Sequence, residues 1–467
     1  MKEKIVPSAW LEEEGRRLDC GPHLSGAMEA KFLLANLSVT KVPLCKLTRG
    51  GLAGIFNGPR FPRSYVVDET QGVPFLGSTD ILNADLSYLP MLAKRQVDAQ
   101  PELLVDEGWT LISCSGTVGR MAVSRPDMKG MAGSQHFMRV VPDPKKVQSG
   151  YLHAYLGSRF GVPLVVSGSY GSIIQHIEPP HIANLPVPRL GDRIEKQAHE
   201  RVVEAAKLRS EYQVQVRAAT QKLFESVGLK DITSGTWHNG SHDLGFVRKI
   251  ASAASLRALN FTPRFLQLCD STRTRSSRLL GELCKPGTLH RGGRYKRIDA
   301  DPQYSYQLIG QKEIFWLRPE GRWIAKRSVG DDVLVTPGTT LVAARGTFGE
   351  SELYCRAEFV WGNDAERAYS EDFLRVVADE RVMPPGCLFA FMRSETAFRM
   401  LRSISMGTKL QDHHPEFLSA LPVPYPEKRT REEIHELVVD AYEKRHRSVR
   451  LEDEAIALVE RGIAGEA

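Results

Sequence analysis

Two long stretches of this chain place apolar residues at helical spacing among charged ones. From roughly Asp192 to Ser226, the residues Ile194, Ala198, Val202, Ala205, Tyr212, Val216, Ala219 and Leu223 follow one another mostly at three- and four-residue steps, with one seven-residue step. From roughly Thr430 to Arg461 the stripe is Ile434, Leu437, Ala441, Leu451, Ala455 and Leu458, interrupted by polar residues between Lys444 and Arg450. Both stripes are narrow and flanked by Glu, Lys and Arg, a coiled-coil pattern more than a globular-core pattern. Each predicts a helix about 50 Å long at 1.5 Å per residue. Shorter apolar runs predict strands: Gly108 to Ser113, Phe137 to Val141, Gly338 to Ala343 and Phe373 to Val377. Tyr151, Leu152, Tyr155 and Leu156 recur at helix spacing, as do Leu388, Phe391 and Met392.

These elements occur in the same order twice. Ser134-Gln135-His136-Phe137-Met138-Arg139-Val140-Val141 returns 236 residues later as Ser370-Glu371-Asp372-Phe373-Leu374-Arg375-Val376-Val377. Leu185-Pro186-Val187-Pro188 returns as Leu421-Pro422-Val423-Pro424 and Val202-Val203-Glu204-Ala205-Ala206 as Val438-Val439-Asp440-Ala441-Tyr442, at that same offset. A constant offset means duplication of one unit. The earlier Ser115-Gly116-Thr117-Val118-Gly119 and Arg345-Gly346-Thr347-Phe348-Gly349 turns stand 230 apart, so six residues separate the copies between these turns and the later strand. Proline in Leu-Pro-Val-Pro suits an edge strand or a domain exit. The long helices that follow each copy most simply pack antiparallel, as a rod between two heads.

Length and composition fit several folded domains: 467 residues, 42% hydrophobic and 25% charged. A formal charge of +6 admits an anionic partner without requiring one. The seven cysteines are odd in number, and none form a CxxC pair, which argues against a zinc ribbon or a disulfide framework and for a reducing, cytoplasmic setting. Residues 1–25 lack the apolar segment of a signal peptide, and no apolar run approaches membrane-span length.

Catalytic signatures are missing from the sequence: no Walker A, no dinucleotide fingerprint after a strand, no His-Glu-x-x-His and no nucleophile elbow. The Asn/Asp-Pro-Pro-aromatic segment of an adenine methyltransferase pocket is missing as well. Asp127 with Lys129, and Asp143 with Lys145, lack a further acidic partner for nuclease chemistry. His413-His414 and His176/His181 lack carboxylate or thiolate co-ligands for a metal. The chain therefore reads as non-catalytic, with no cofactor and no metal of its own. Binding is better supported. Residues 270–299 are net basic, and His290-Arg291-Gly292-Gly293-Arg294-Tyr295-Lys296-Arg297 forms a basic loop able to reach phosphates. Arg60-Phe61-Pro62-Arg63-Ser64-Tyr65 is its counterpart in the first copy. The Gly-Thr-x-Gly turns let backbone approach a phosphate or another chain, or simply make tight turns.

The repeated order of Ser-Gly-Thr-x-Gly turn, Ser-x-His-x-x-Arg-Val strand, Tyr170-Gly171-Ser172 turn, Leu-Pro-Val-Pro and long helix resembles the specificity (S) subunit of type I restriction-modification systems and related phage-defence systems. The resemblance runs from Arg17-Leu18-Asp19, weakly echoed by Arg257-Ala258-Leu259-Asn260, to the second long helix. Copy two departs at Arg345, which stands for Ser115, and at Met406-Gly407-Thr408, which stands for the Tyr-Gly-Ser turn. The resemblance implies an α/β (α+β) fold of two tandem target-recognition domains at 1–190 and 229–427. Each is followed by a spacer helix, at 191–228 and 428–467, and the two helices form an antiparallel coiled coil. It further implies double-stranded DNA as ligand, read as a bipartite asymmetric target. Two partner adenine-N6 methyltransferase subunits would carry S-adenosylmethionine, with a restriction/translocase subunit in some systems.

On that footing the DNA-contacting residues expected in head one are Arg60, Arg63, Ser115, Thr117, Arg120, Ser172 and Gln175. In head two they are Arg291, Arg294, Lys296, Arg345, Thr347, Lys409 and Gln411. Gln175 and Gln411 have the amide chemistry for a bidentate adenine contact, or for a structural hydrogen bond. The competing readings are a protein-binding scaffold with two repeated heads, which predicts apolar head surfaces, and a self-sufficient enzyme, which the missing motifs disfavour.

Overall fold

The computed structural model describes residues 3–8, 10, 23–115, 118–167, 176–240, 245–249, 254–274 and 276–466. The chain divides into two compact units: Met1–Asn83, Leu89–Ser210 and His446–Ala467 form unit 1, and Ala84–Tyr88 with Glu211–Arg445 form unit 2.

In unit 1 the main strands are β1 (Lys41–Pro43), β2 (Ile55–Asn57), β3 (Gly72–Leu76), β4 (Met91–Ala93), β5 (Thr110–Ser113), β6 (Met121–Val123), β7 (Ala132–Gly133), β8 (Phe137–Val140) and β9 (Pro186–Pro188). Helix α1 (Ser149–Leu156) precedes β9, and the long α2 (Asp192–Glu225) follows it. The central sheet has the order β2–β8–β5–β6. All four residues of β5 and of β8 are buried, so both faces are covered. Ile112, Met138 and Val140 face a core built with Tyr151, Tyr155, Ala198, Val202 and, from the last segment of the chain, Ala455, Val459 and Ile463. The prolines of β9 lie in a two-stranded ribbon with β1, where no central ladder is interrupted. Tyr151 and Tyr155, one helical turn apart, donate their hydroxyls to the carbonyls of Pro188 and Pro186 and pin that ribbon to α1.

Unit 2 repeats this plan with β10 (Ser277–Leu279), β11 (His290–Arg291), β12 (Ser305–Ile309), β13 (Arg322–Ala325), β14 (Thr340–Ala343), β15 (Ala357–Phe359), β16 (Ala368–Tyr369), β17 (Phe373–Val376) and β18 (Pro422–Pro424). Helices α3 (Pro385–Met392) and α4 (Glu395–Ser403) precede β18, and α5 (Lys428–Ala464) follows it. The central sheet runs β11–β17–β14–β15, the counterpart of the first. Even the register repeats: Leu111 faces Arg139 across β5–β8, and Leu341 faces Arg375 across β14–β17. The side sheets share a three-stranded part, since β3 pairs antiparallel with β4 and parallel with β7, as β12 does with β13 and β16; unit 1 adds the short strand Tyr65–Val66 beside β4. The six extra residues of copy two fall in the connection from β14 to β15, residues 344–356, while all the flanking strands are kept. Loops accept such changes because no ladder hydrogen bond depends on them.

The long helices extend over nearly the spans their stripes predict, and each contributes to both units. In unit 1, Arg209 of α2 forms a buried ion pair with Glu452 of α5, with Nη2 to Oε2 at 2.7 Å, and Arg201 pairs with Glu454. In unit 2, Lys222 pairs with Glu433 at 2.6 Å, Gln215 donates to Asp440 and Lys444 pairs with Glu211. Residue numbers rise along one helix as they fall along the other, so the pairing is antiparallel, as expected. The compact units therefore cut across the four segments read from the sequence. Unit 2 also takes in residues 84–88, where Arg393 donates to Asp85 at 2.5 Å and Gln213 accepts from the Leu86 amide at 2.6 Å.

Candidate nucleic-acid interface

In each unit one end of the central sheet collects the loops on which the sequence placed its candidate residues. In unit 1 these are the segment after β2, residues 58–64, and the β5–β6 connection, residues 114–120. Arg60 is exposed, and Arg63 is half-buried. Arg63 donates to Gln135 Oε1 at 2.7 Å and lies over the Phe75 ring, 4.8 Å from its centroid. Gln135 in turn meets His136 Nε2 at 3.0 Å. Burial, reinforced by the charges of Arg63, Arg60 and His176, holds the His136 pKa below its ordinary value, so these four groups share one neighbourhood. Ser115 is bridged to His176, which brings the β5–β6 connection to the same place. Arg120 is half-buried, with its backbone amide donating to Ser113 Oγ at 3.0 Å. Thr117, Ser172 and Gln175 lie outside the described residues.

Unit 2 builds the equivalent end with acids among the bases. Arg291 forms an ion pair with Asp412 at 2.8 Å, and Arg345 pairs with Asp372 at 3.6 Å. Arg297 donates to Glu371 at 2.9 Å. Gly346 and Gln411 bridge through backbone, so Arg291, Arg345 and Arg297 sit on one continuous patch. Arg294, Lys296, Thr347 and Lys409 are exposed. Gln411 is 3% exposed: its oxygen accepts from Arg257 at 2.9 Å, and its nitrogen donates to the Thr408 carbonyl at 2.6 Å. In this chain the Gln411 amide therefore closes the 405–412 turn.

Two groups that the sequence reading passed over organise these ends. Arg402, on α4, donates to the carbonyls of Phe348, Gly349, Glu352 and Tyr354, four points of the longer 344–356 connection. Glu350 of that connection pairs with Arg399 and, at 3.3 Å, with His238. A burial penalty pushes the Glu350 carboxyl up, but the Arg399 hydrogen bond and charge and the His238 contact win and hold it at about 2. The second group is the arginine in the middle of β8 and of β17. Arg139 and Arg375 are 0% and 8% exposed, on strands whose other residues are apolar. A charged residue at a buried strand position, present in both copies, was the available signal.

The histidines weighed as metal ligands are placed otherwise. His413 is buried, stacked on Tyr354 with centroids 5.3 Å apart, and its Nε2 lies 3.3 Å from Cys355 Sγ. Asp127 accepts from Arg125 at 2.8 Å. Among the described residues no group of three or more His, Cys, Asp or Glu side chains is placed to hold a metal ion, and no helix is long and apolar enough to cross a membrane.

No protein-family model matches the chain, and no curated protein matches its sequence. Among solved structures it is similar to a chain from a structure of the type I R-M system, at 11% identity and a TM-score of 0.26, over 91% of this chain and 98% of that one. It is similar to the HsdS subunit from Thermoanaerobacter tengcongensis at 11% identity and a TM-score of 0.27, over 91% and 97% of the two chains. Its similarity to the type I restriction-modification system S subunit from M. genitalium covers 92% of this chain and 96% of that one, at 10% identity and a TM-score of 0.36.

Proposed function

We propose that this chain is the DNA-recognition subunit of a modification complex. Each head reads one half of a split, asymmetric duplex sequence. The long helices carry two adenine-N6 methyltransferase subunits that hold S-adenosylmethionine, and a restriction or translocase subunit joins in systems that cleave. The observation that carries this reading is the pairing of one scaffold with two chemistries. Strand order and register of the central sheet are the same in both units, yet the loops at the same end of that sheet differ in length and charge. Unit 1 offers Arg60, Arg63 and two histidines there, while unit 2 offers arginines held by Asp412, Asp372 and Glu371. A single repeated target would need no such divergence; two different half-sites do.

The side chains fall into the two classes that duplex recognition requires. Exposed Arg60, Arg294, Lys296 and Lys409 suit phosphates, which fix position. Arg291 and Arg345, braced by carboxylates, are pre-oriented for bidentate contact with base edges, where a guanidinium matches guanine. The test is adenine methylation mapped across the genome of cells with and without this gene. Loss of one split, asymmetric methylated sequence on deletion supports the reading. An unchanged methylation pattern in cells that express the protein would overturn it.

A further inference from the structure

The two buried strand arginines occupy equivalent positions but not equivalent surroundings. Arg139 spends its Nη groups on main-chain carbonyls, although its Nε, like that of Arg375, is buried without a partner. Its Nη2 donates to Gly133 O at 2.9 Å and Leu103 O at 3.3 Å, and its Nη1 reaches Ser134 O and Phe137 O at 3.4 Å. The rings of Phe137 and Phe56 lie 4.6 and 5.6 Å from its guanidinium carbon. Copy two changes two residues around this position. Phe56, the cross-strand neighbour of Arg139, corresponds to His290, the cross-strand neighbour of Arg375. Gly133 corresponds to Tyr369. A β-carbon at Gly133 would come within 2.6 Å of Arg139 Nη2, so a side chain there denies Arg375 the same berth.

Arg375 lies against the root of the basic loop, as Arg139 lies against Gly58, the glycine at the equivalent place. A β-carbon on Gly292 would meet its Nη2 at 2.6 Å and its Cζ at 3.1 Å, so the guanidinium lies against bare backbone. Among the described residues it donates no hydrogen bond, and no carboxylate stands within 4.0 Å of it; its Nε is buried without a partner. The hydroxyl of neighbouring Tyr295 is likewise buried and unpartnered. Asp332, the acid whose charge Arg375 feels, is engaged by the Gly293 amide at 3.1 Å. Burial pulls the Arg375 pKa below its ordinary value, with Asp332 and Tyr295 opposing, yet an arginine keeps its charge at neutral pH. The Arg375 guanidinium thus keeps donors that no protein group takes, and the chemistry that suits them is an anion.

Resting on the recognition role above, we propose that Arg375 and the Tyr295 hydroxyl, under the Gly292-Gly293 turn, form a site for one backbone phosphate of the duplex read by head two. Exposed Arg294 and Lys296 flank that site. In head one the Nη groups of Arg139 go to four main-chain carbonyls instead, so the pair reads as one strand arginine kept for structure in one copy and left with free donors in the other.

The test is the salt dependence of binding of the full chain to a labelled duplex of mixed sequence, with a melting curve for every variant. Arg375→Met is expected to lower the slope of log Kd against log [KCl] by about 0.9, one phosphate contact, equally for all sequences, while Arg375→Lys keeps it. Gly292→Ala, whose new methyl displaces the guanidinium, is expected to lower the slope as well, and it decides the matter if Arg375→Met does not fold. A folded Arg375→Met, or failing that a folded Gly292→Ala, with the wild-type slope would overturn this site and leave the recognition role standing. A wild-type chain that binds no duplex would overturn the recognition role and the site with it.

Discussion

At the scale of single residues, the strand arginines separate structure from function most sharply. Removing Arg139 leaves four buried carbonyls without their charged donor. Arg139→Met is therefore expected to destabilise unit 1 by about 3 kcal/mol or more, since each such bond to a charged group contributes about 1.5–3 kcal/mol. Arg375→Met strands no carbonyl and is expected to stay within about 1 kcal/mol of the parent, or to stabilise it. Urea unfolding of the two variants checks both; equal losses would mean that the two sites are alike. His413 provides a pH test. Its burial, with the charge of Arg291, holds its pKa down at about 3. The folded state therefore keeps the ring neutral, while the unfolded chain takes up a proton near pH 6.5. Stability from this residue is fully present above about pH 6.5 and falls as pH drops toward about 3, amounting to a loss of about 2 kcal/mol at pH 5. Unfolding at about pH 7 and pH 5 should show that loss in the parent, and His413→Gln should shed it.

At the scale of elements, the sequence revealed periodicity well and buried polarity poorly. The α2 and α5 stripes announced both helices, because narrow apolar seams repeat at helical spacing. The interruption between Lys444 and Arg450 looked like a break in the seam, yet α5 is continuous there. Polar residues in and beside that gap are buried: Arg445 reaches Glu358 and the Trp316 carbonyl, Ser448 accepts from Arg209, and Glu452 meets Arg209 and His153. Hydropathy cannot distinguish a buried, paired arginine from a solvated one, and the partners of these are far away in sequence. Breaking the Arg209–Glu452 pair through Glu452→Gln or Arg209→Met is expected to cost about 3–5 kcal/mol, and Arg209→Met with Glu452→Met to recover most of it, since the charges then leave together. A double-mutant cycle in urea reads this, and purely additive losses would refute it. The longer 344–356 connection was legible as an offset change but not as an ordered loop, because its clamp, Arg402, lies some fifty residues away on α4. Arg402→Met is expected to raise amide exchange across this segment about tenfold or more. Arg402→Lys should not restore protection, because a point charge cannot span four carbonyls.

At the scale of the whole molecule, duplication in sequence does not mean two independent folding units. The first copy ends with α2, but the core of unit 1 is completed by Ala455, Val459 and Ile463 from the end of the chain. The core of unit 2 likewise includes Tyr212, Val216, Ala219 and Leu223 from the helix that follows copy one, and its polar network includes Asp85. A cut at residue 228 therefore removes apolar surface from both cores at once. Each lost large apolar side chain contributes about 1.5–3 kcal/mol of burial, so either half would lose an amount comparable to the whole stability of an ordinary domain. Residues 1–228 and 229–467, produced separately, are each expected to unfold without a cooperative transition or to self-associate through the bared helix face. Mixed together, they are expected to recover one cooperative transition close to that of the intact chain. Calorimetry of the two halves, alone and combined, checks this. A cooperative, monomeric first half would show that copy one is sufficient for its own core and that the late segment of α5 is dispensable there.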